Sequence, residues 1–421
     1  MKKQTNTNKP AKSEYTFLRQ IVQHIPRGMM ERIAKEHKAD IRKFSCTSHV
    51  VAITYGHLTK ARSLSEICDG LRLHSSELSK IKNSTPPKRN TFSNANRTRD
   101  PAIAEQIFWE VLDHIKQTYP DFAYDKKHTG FLSRIKRSIF AIDSTTLQLA
   151  LNCMDWAKHR RKKAAAKTHM CLNIGSGIPS FAVVDKASKH DSTRAEDICV
   201  NLKEGDILLA DKAYVKFNFL YGISNRGIYF VLREKKNMCF EAIESRTHND
   251  TSVISDETIT LTTANTSKKY PGYLRRVKAV VEVDGKKVEM TFISNNFQWS
   301  PRTIAELYRR RWAIEIFFKE LKQTLQLADF IGYNDKAVKW QVWIGLLTHI
   351  LLRLLKHLSK WKLSFSRLYG VVKSAIWMRV DLFETLSIYG TANPPRRPVP
   401  FTKQLYFKGF EPNTGNPMGQ P

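Results

Sequence analysis

One stretch constrains this chain more than any other: Tyr308 to Lys322, reading Tyr-Arg-Arg-Arg-Trp-Ala-Ile-Glu-Ile-Phe-Phe-Lys-Glu-Leu-Lys. Nothing in it breaks a helix, and Ser300-Pro301 upstream offers a capping serine followed by a proline in the first turn. At about 100° per residue, Tyr308, Arg311, Glu315 and Lys322 fall within roughly 60° of one another. Leu307, Ile314, Phe317, Phe318, Leu321 and Leu325 gather on a separate flank. A helix of this sequence must bury that flank and keep a Tyr-Arg-Glu-Lys stripe beside it. A solvated, salt-bridged face accounts for any single Arg-Glu pair at i, i+4. The stripe carries chemistry only if groups from elsewhere in the chain join it.

The charge balance narrows the partners. Among 421 residues, 69 Lys and Arg stand against 39 Asp and Glu, a formal net charge of +30. Such an excess repels itself unless a polyanion shares it, and nucleic acid is the usual one, although ribosomal and other basic proteins share the property. An apolar content of 42% supports a globular core and excludes a disordered chain. Cys46, Cys68, Cys153, Cys171, Cys199 and Cys239 are scattered without a Cys-x-x-Cys pair, so reduced core thiols are expected, with no zinc or disulfide framework. The N-terminus has no apolar run behind its lysines, and Val342 to Leu355 is too short to span a bilayer. A soluble, cytoplasmic protein is expected.

Taken in order, residues 1–13 form a polar, basic arm expected to be disordered. Residues 14–125 read as a helical domain. Its basic turn at 84–93 leads into Asn94-Ala-Asn-Arg97-Thr-Arg99, a way to meet DNA phosphates or, alternatively, a dimerisation module. Residues 130–235 change period. Ser138 to Ile142 is a buried strand ending in Asp143; Leu147–Leu151, His169–Ile174 and Ile178–Val184 follow; a helix near Arg194 leads to the strand Asp206–Ala210, which ends in Asp211. Ala157-Lys-His-Arg160-Arg161-Lys162-Lys163 is a positive run suited to gripping phosphate, or simply a solvated loop. Residues 236–300 alternate, with a hairpin around Asp284-Gly285, and read as a β-rich insertion. The Tyr-Arg-Glu-Lys helix occupies 301–330, apolar helices 331–392, and an irregular Pro-rich tail 393–421.

An acid at the C-terminal end of a buried strand projects from the rim of a sheet, where α/β folds place their sites. Asp143 and Asp211 are two such acids, and Glu315 on a following helix can join them. Three ionised carboxylates cannot share a pocket without a cation, because like charges raise each other's pKa. Mg²⁺, with Mn²⁺ as substitute, suits a few carboxylates plus substrate phosphates, and a pair of such ions serves in-line displacement at phosphorus. Taken singly, each Asp is better read as a turn or cap residue after a strand; the three acids together with the Tyr-Arg-Glu-Lys stripe favour a site. Asp206 opens its strand, at the wrong end, and His190-Asp191 is a weaker neighbour candidate.

Tyr308-x2-Arg311-x3-Glu315-x6-Lys322 resembles, in every spacing, the signature of the insertion-sequence-four family of bacterial DDE transposases. Asp143-Ser-Thr-Thr and Ala210-Asp211-Lys212-Ala-Tyr214 are similar to its two aspartate motifs, and the block containing Ser63–Ile67 and Lys88–Arg97 to its N-terminal helical domain. The resemblance implies an α/β RNase H-like catalytic core with a β-rich insertion, preceded by a small helical domain and followed by a helical C-terminal region. It implies Asp143, Asp211 and Glu315 as catalytic residues and metal ligands, and cleavage and strand transfer at transposon ends. Tyr308, Arg311 and Lys322 are then expected on DNA phosphates, with Lys212, Arg160, Arg161, Lys162, Lys163 and Arg97 as further DNA contacts. Some relatives cut through a hairpin intermediate and stack a flipped base on a tryptophan, for which Trp299 is the candidate by position. The implied partners are double-stranded DNA, as terminal inverted repeats and target, and a second copy of the chain in a synaptic complex. The alternatives are an RNase H-like nuclease that cuts without joining and a non-catalytic DNA-binding remnant.

Overall fold

In a computed structural model the chain is described over residues 9–39, 44–124, 132–149, 158–159, 163–186, 193–283, 285–324 and 334–390. Its centre is a single mixed sheet. Strands β1 (Ile139–Leu149), β2 (Lys158–His159), β3 (Lys163–Asn173), β4 (Ile178–Lys186), β5 (Ile207–Ala210) and β6 (Tyr229–Arg233) come first. Strand β1 pairs antiparallel with β3 and parallel with β5; β3 carries β4 on its other side, and β5 pairs parallel with β6. The order β4-β3-β1-β5-β6, with β1, β5 and β6 parallel, is an RNase H-like core.

Side chains alternate between two faces along the parallel strands, as the pleat requires. Ile139, Ala141, Ile207, Leu209 and Val231 join one apolar core, whereas Phe140, Ile142, Leu208, Ala210, Phe230 and Leu232 join the other. Both faces are covered, so these strands read as continuous apolar runs. The second face is closed by helices Ala195–Ile198 and Phe217–Asn225. The first face is closed by the helices that carry the Tyr-Arg-Glu-Lys residues and by a helical layer drawn from both ends of the chain.

Three elements depart from the sequence reading. First, β1 does not end at Asp143: it runs on to Leu149 beside β3, with Asp143 opposite Met170. Only its parallel pairing with β5 stops, at Ala141 opposite Leu209. Second, the β-rich insertion extends the core sheet instead of standing apart. Strand β10 (Lys286–Ser294) pairs with β6 and continues through β9 (Leu274–Val283) and β8 (Val253–Leu261) to β7 (Phe240–Ser245). The expected tight turn is present, with Gly285 at φ 74°. Third, the signature helix is two helices, Pro301–Arg310 and Trp312–Thr324. At the joint, the Arg311 amide donates to the Tyr308 carbonyl (3.0 Å) and the Ile314 amide to the Arg311 carbonyl (3.1 Å). These i→i−3 bonds tighten one turn.

The C-terminal helix Asp335–Leu358 is the spine of the helical layer. It is long and apolar enough to cross a membrane by length and composition, but 89% of its apolar window is buried inside the fold. Helices Cys46–Thr59 and Ala102–Thr118 pack against it. The Trp340 indole donates to the Arg99 carbonyl (3.2 Å), and the Tyr369 hydroxyl donates to the carbonyls of His57 (2.9 Å) and Leu58 (3.0 Å). Cys46, Cys68, Cys171 and Cys199 are buried free thiols, as expected, but Cys239 is exposed; Cys153 lies outside the described residues.

Candidate active site

The register of β1 and β5 brings two acids to one level. Ile139 pairs with Ile207 and Ala141 with Leu209, and Asp143 and Asp211 each follow two residues beyond that last pair. Both lie on the odd-numbered face that packs against the signature helices. Ser300 caps the first of these helices by accepting from the Thr303 amide (3.2 Å), with Pro301 in the first turn. Leu307, Ile314, Phe317 and Leu321 are buried beneath the pair of helices. That burial turns the polar stripe toward the rim.

The four signature residues meet the acids. Tyr308 rests its ring on Phe292 of β10 (centroids 4.9 Å apart) and donates its hydroxyl to Asp211 Oδ1 at 3.1 Å. The Arg311 guanidinium donates from Nη2 to Glu315 Oε1 at 2.5 Å and stands 3.8 Å from Asp143 Oδ2 through Nη1. One cation thus lies between two of the carboxylates and beside the tyrosine that holds the third. Burial works against the Arg311 charge, but Tyr308, Glu315 and Asp143 outweigh it and hold the guanidinium protonated more firmly than usual. Burial pushes the Tyr308 phenol up to about 12, with Asp211 adding to the shift against Arg311. The Lys322 ammonium is pulled down by burial and partly restored by the Asp143 charge, which places Lys322 in the same field. Lys212 follows Asp211 directly and is exposed.

Among the described residues, no three carboxylate, imidazole or thiol groups are close enough as placed to hold one ion. The compensating charge here is Arg311. Three half-buried carboxylates, two of them sharing one guanidinium, are a hard-oxygen donor set under cation demand, and this suits divalent metal ions that prefer oxygen ligands.

Trp299 does not join this rim. It packs at a tilt against Tyr229 (centroids 5.2 Å apart), at the N-terminal end of β6. Tyr229 pairs with Ile207, four residues before Asp211, or roughly 13 Å along the strand. Trp299, the candidate for stacking a flipped base, thus lies toward the other end of the strands from Asp211. Arg97 is exposed, bonded to Asn94 (3.1 Å) on its own helix, with its carbonyl accepting from Asn334 near the start of the spine helix (3.1 Å). Arg160, Arg161 and Lys162, with His190 and Asp191, lie outside the described residues. Lys163 opens β3, opposite His159 in β2.

Sequence reasoning missed a supporting pair. Arg275 of β9, 1% exposed, forks onto Asp256 of β8, 4% exposed, through Nε to Oδ1 (2.8 Å) and Nη2 to Oδ2 (2.6 Å). Its Nη1 donates to the carbonyls of Asn296 (3.3 Å) and Trp299 (2.5 Å), the loop that launches the signature helices.

The family described as the transposase DDE domain matches residues 134–351, more than half of the 421-residue chain, and this span takes in every residue of the rim. The chain belongs to the DDE transposase family. A transposase for insertion sequence element IS5377 of Geobacillus stearothermophilus is 27% identical over 268 residues, covering 61% of this chain and 70% of its own length. Transposase y4zB of Sinorhizobium fredii is 29% identical over 246 residues, covering 57% and 67%. Transposase InsG for insertion sequence element IS4 of Escherichia coli is 24% identical over 217 residues, covering 48% of each chain. Residues 13–81 match a separate family described as a domain of unknown function. This transposase is a DNA-binding enzyme that cleaves DNA and transfers strands, with the divalent-metal dependence of its family.

Proposed function

We propose that Asp143, Asp211 and Glu315 are the catalytic carboxylates of this transposase and that they hold Mg²⁺, or Mn²⁺ in its place, against a scissile phosphate at the transposon's terminal inverted repeat. The observation that carries this reading is the junction at Arg311, where one guanidinium meets Asp143 and Glu315 while Tyr308 holds Asp211. When bound, such ions activate the attacking hydroxyl and stabilise the leaving oxygen of an in-line displacement. The chain's own residues do the positioning. Tyr308 fixes Asp211 through its hydroxyl and keeps its proton up to about pH 12, so it remains a donor throughout the working range. The buried Nε of Arg311 has no partner among the described residues, and a phosphate oxygen would satisfy it. Lys322 and the exposed Lys212 extend the positive lining along the strand. Two copies of the chain synapse two transposon ends.

The test is cleavage and joining of duplexes bearing the element's terminal repeats, with Mg²⁺ or EDTA. Asp143→Asn, Asp211→Asn and Glu315→Gln should each lose about a thousandfold or more in cleavage, on the order of 4 kcal/mol of barrier, while still binding the duplex in EDTA. A variant that cuts at the wild-type rate removes its carboxylate from the site. Metal-dependent nicking without joined product would favour the cut-only nuclease.

A further inference from the structure

The signature helix Trp312–Thr324 carries a further carboxylate outside the rim. Glu320 lies five residues beyond Glu315, about 7.5 Å along the axis and about 140° round it, so it leaves the flank of the helix away from the rim. There it meets the spine helix Asp335–Leu358. Its Oε2 stands 3.9 Å from Arg353 Nη1 and 3.8 Å from His349 Nε2. His349 is fully buried against the rings of Phe317 (centroids 4.6 Å apart) and Phe365 (4.8 Å), and neither of its nitrogens has a hydrogen-bond partner among the described residues. Burial, with Arg353 and Lys356 alongside, keeps that imidazole neutral. The pairing therefore falls to Arg353. Burial favours the protonated form of Glu320, and the Arg353 and Lys356 charges work against it.

Arg353 is itself anchored on two sides. Its guanidinium lies 6.0 Å from the Phe317 ring centroid, and it abuts Gly177 in the turn between β3 and β4, where φ is 68° and a Cβ would overlap Nη2. Strand β3 pairs with β1, which carries Asp143. A chain of contacts thus runs from the sheet through Arg353 to Glu320 and the helix that presents Glu315. The buried residues Ile314, Phe317 and Leu321 set how deep that helix sits. Apolar contact is non-directional and resists rotation about the axis only weakly, whereas a charge pair fixed at one flank resists it directly. Glu315 leaves the other flank. With its carboxylate about 5.5 Å from the axis, a rotation of about 10° would move it by about 1 Å.

We infer that Glu320 and Arg353 are positioning residues for the carboxylate rim: their pairing sets the rotation of the signature helix and, through it, the place of Glu315 beside Asp143. The inference rests on the reading of Glu315 as a metal ligand. A misplacement of about 1 Å costs up to about a hundredfold in rate, so the pair governs cleavage although it stands off the rim.

The experiment measures Mn²⁺ affinity of the DNA-free, full-length protein by calorimetry and single-turnover cleavage at saturating terminal-repeat duplex. It compares Glu320→Gln, Arg353→Gln and the double variant, with urea unfolding to confirm that each folds. Each single variant should bind Mn²⁺ about tenfold more weakly and cleave about 10- to 100-fold more slowly. The double variant should be no worse than either single, because the two residues act as a unit. A long-range charge effect has a different signature: losing the acid weakens Mn²⁺ binding, losing the arginine strengthens it, and the double variant returns to wild type. That signature overturns the inference. So do folded single variants that lose stability but keep wild-type Mn²⁺ affinity and cleavage, the mark of a purely structural pair. Should Glu320→Gln not fold, Glu320→Asp keeps the charge and withdraws it by one methylene; smaller losses in the same two quantities are expected, and wild-type values again overturn the inference. Glu315→Gln is the reference. If it is inactive while the Glu320 variants are unimpaired, the positioning inference alone falls. If Glu315→Gln binds Mn²⁺ and cleaves like wild type, the carboxylate assignment falls and takes the inference with it.

Discussion

Arg311 is where the chemistry of this molecule concentrates. Its guanidinium sits 3.8 Å from Asp143 and 2.5 Å from Glu315 and competes with any metal ion for the same oxygens. Removing it should make metal binding easier and catalysis worse. Arg311→Gln is expected to bind Mn²⁺ about tenfold more tightly in DNA-free calorimetry, about 1.4 kcal/mol, while losing cleavage rate. Unchanged or weaker Mn²⁺ binding would mean that Arg311 does not share the carboxylates' site. The Tyr308, Arg311, Glu315 and Lys322 spacing was readable because a helix repeats. The contact from Arg311 to Asp143 was not, because it depends on the register of β1 with β5. The position of Trp299 in the sequence does not say which end of the strands it occupies; it packs against Tyr229, at the end away from Asp211.

At the scale of elements, the insertion earns its place by holding the signature helices. Phe292 of β10 supports the Tyr308 ring, and the buried Arg275–Asp256 fork ties β8 and β9 to the loop before Ser300. Removing one partner of a buried pair leaves an uncompensated charge, worth about 3–5 kcal/mol. Asp256→Leu should lower stability by that amount in urea unfolding, and Asp256→Leu/Arg275→Met should recover part of it. A loss under about 1 kcal/mol for the single variant would show that the pair is not needed. Arg275 and Arg276 are neighbours in β9. In the fold, strand alternation sends them to opposite faces: Arg275 onto Asp256, and Arg276 onto Glu234 (2.8 Å) and Glu257 (2.9 Å). Which face is buried depends on what packs above it, and local pattern does not carry that. The split of the signature helix at Arg311 was hidden for the same reason, since no proline or glycine marks it.

Across the whole molecule, the N- and C-terminal helices form one layer, sealed by polar contacts that a separate-domain reading could not foresee. His49 is fully buried there, bonded through Nε2 to Asn96 Oδ1 (2.7 Å) and packed against Trp340 (centroids 4.3 Å apart). Burial, with Arg99 nearby, pushes it down to about 3. His349, buried against Phe317 under the signature helices, is lowered by the same cause. In both cases the unfolded chain binds a proton that the native state refuses. Stability from these groups is therefore full above about pH 6.5 and falls as pH drops below it, for His49 down to about 3, at up to about 1.4 kcal/mol per unit for each histidine. Unfolding free energies between pH 7 and 5 should decline accordingly, and His49→Gln should reduce that slope; an identical slope would contradict a neutral His49. The apolar runs that lead to Asp143 and Asp211, the hairpin at Gly285 and the Ser300 cap were all legible as local patterns. The joining of insertion and core into one sheet was not, because pairing of β10 with β6 is a long-range choice.

The most direct measurement replaces the leaving 3′-oxygen of the scissile phosphate with sulfur and compares single-turnover cleavage in Mg²⁺ and Mn²⁺, for wild type and Glu315→Gln. Oxygen-seeking Mg²⁺ and the more sulfur-tolerant Mn²⁺ distinguish a metal ion at that atom from one elsewhere. The account predicts that sulfur suppresses cleavage in Mg²⁺, that Mn²⁺ restores it, and that Glu315→Gln cuts neither substrate in either metal. Equal cleavage of the oxygen and sulfur substrates in Mg²⁺, or wild-type rates for Glu315→Gln, would contradict a metal ion held by these carboxylates at the reacting phosphate.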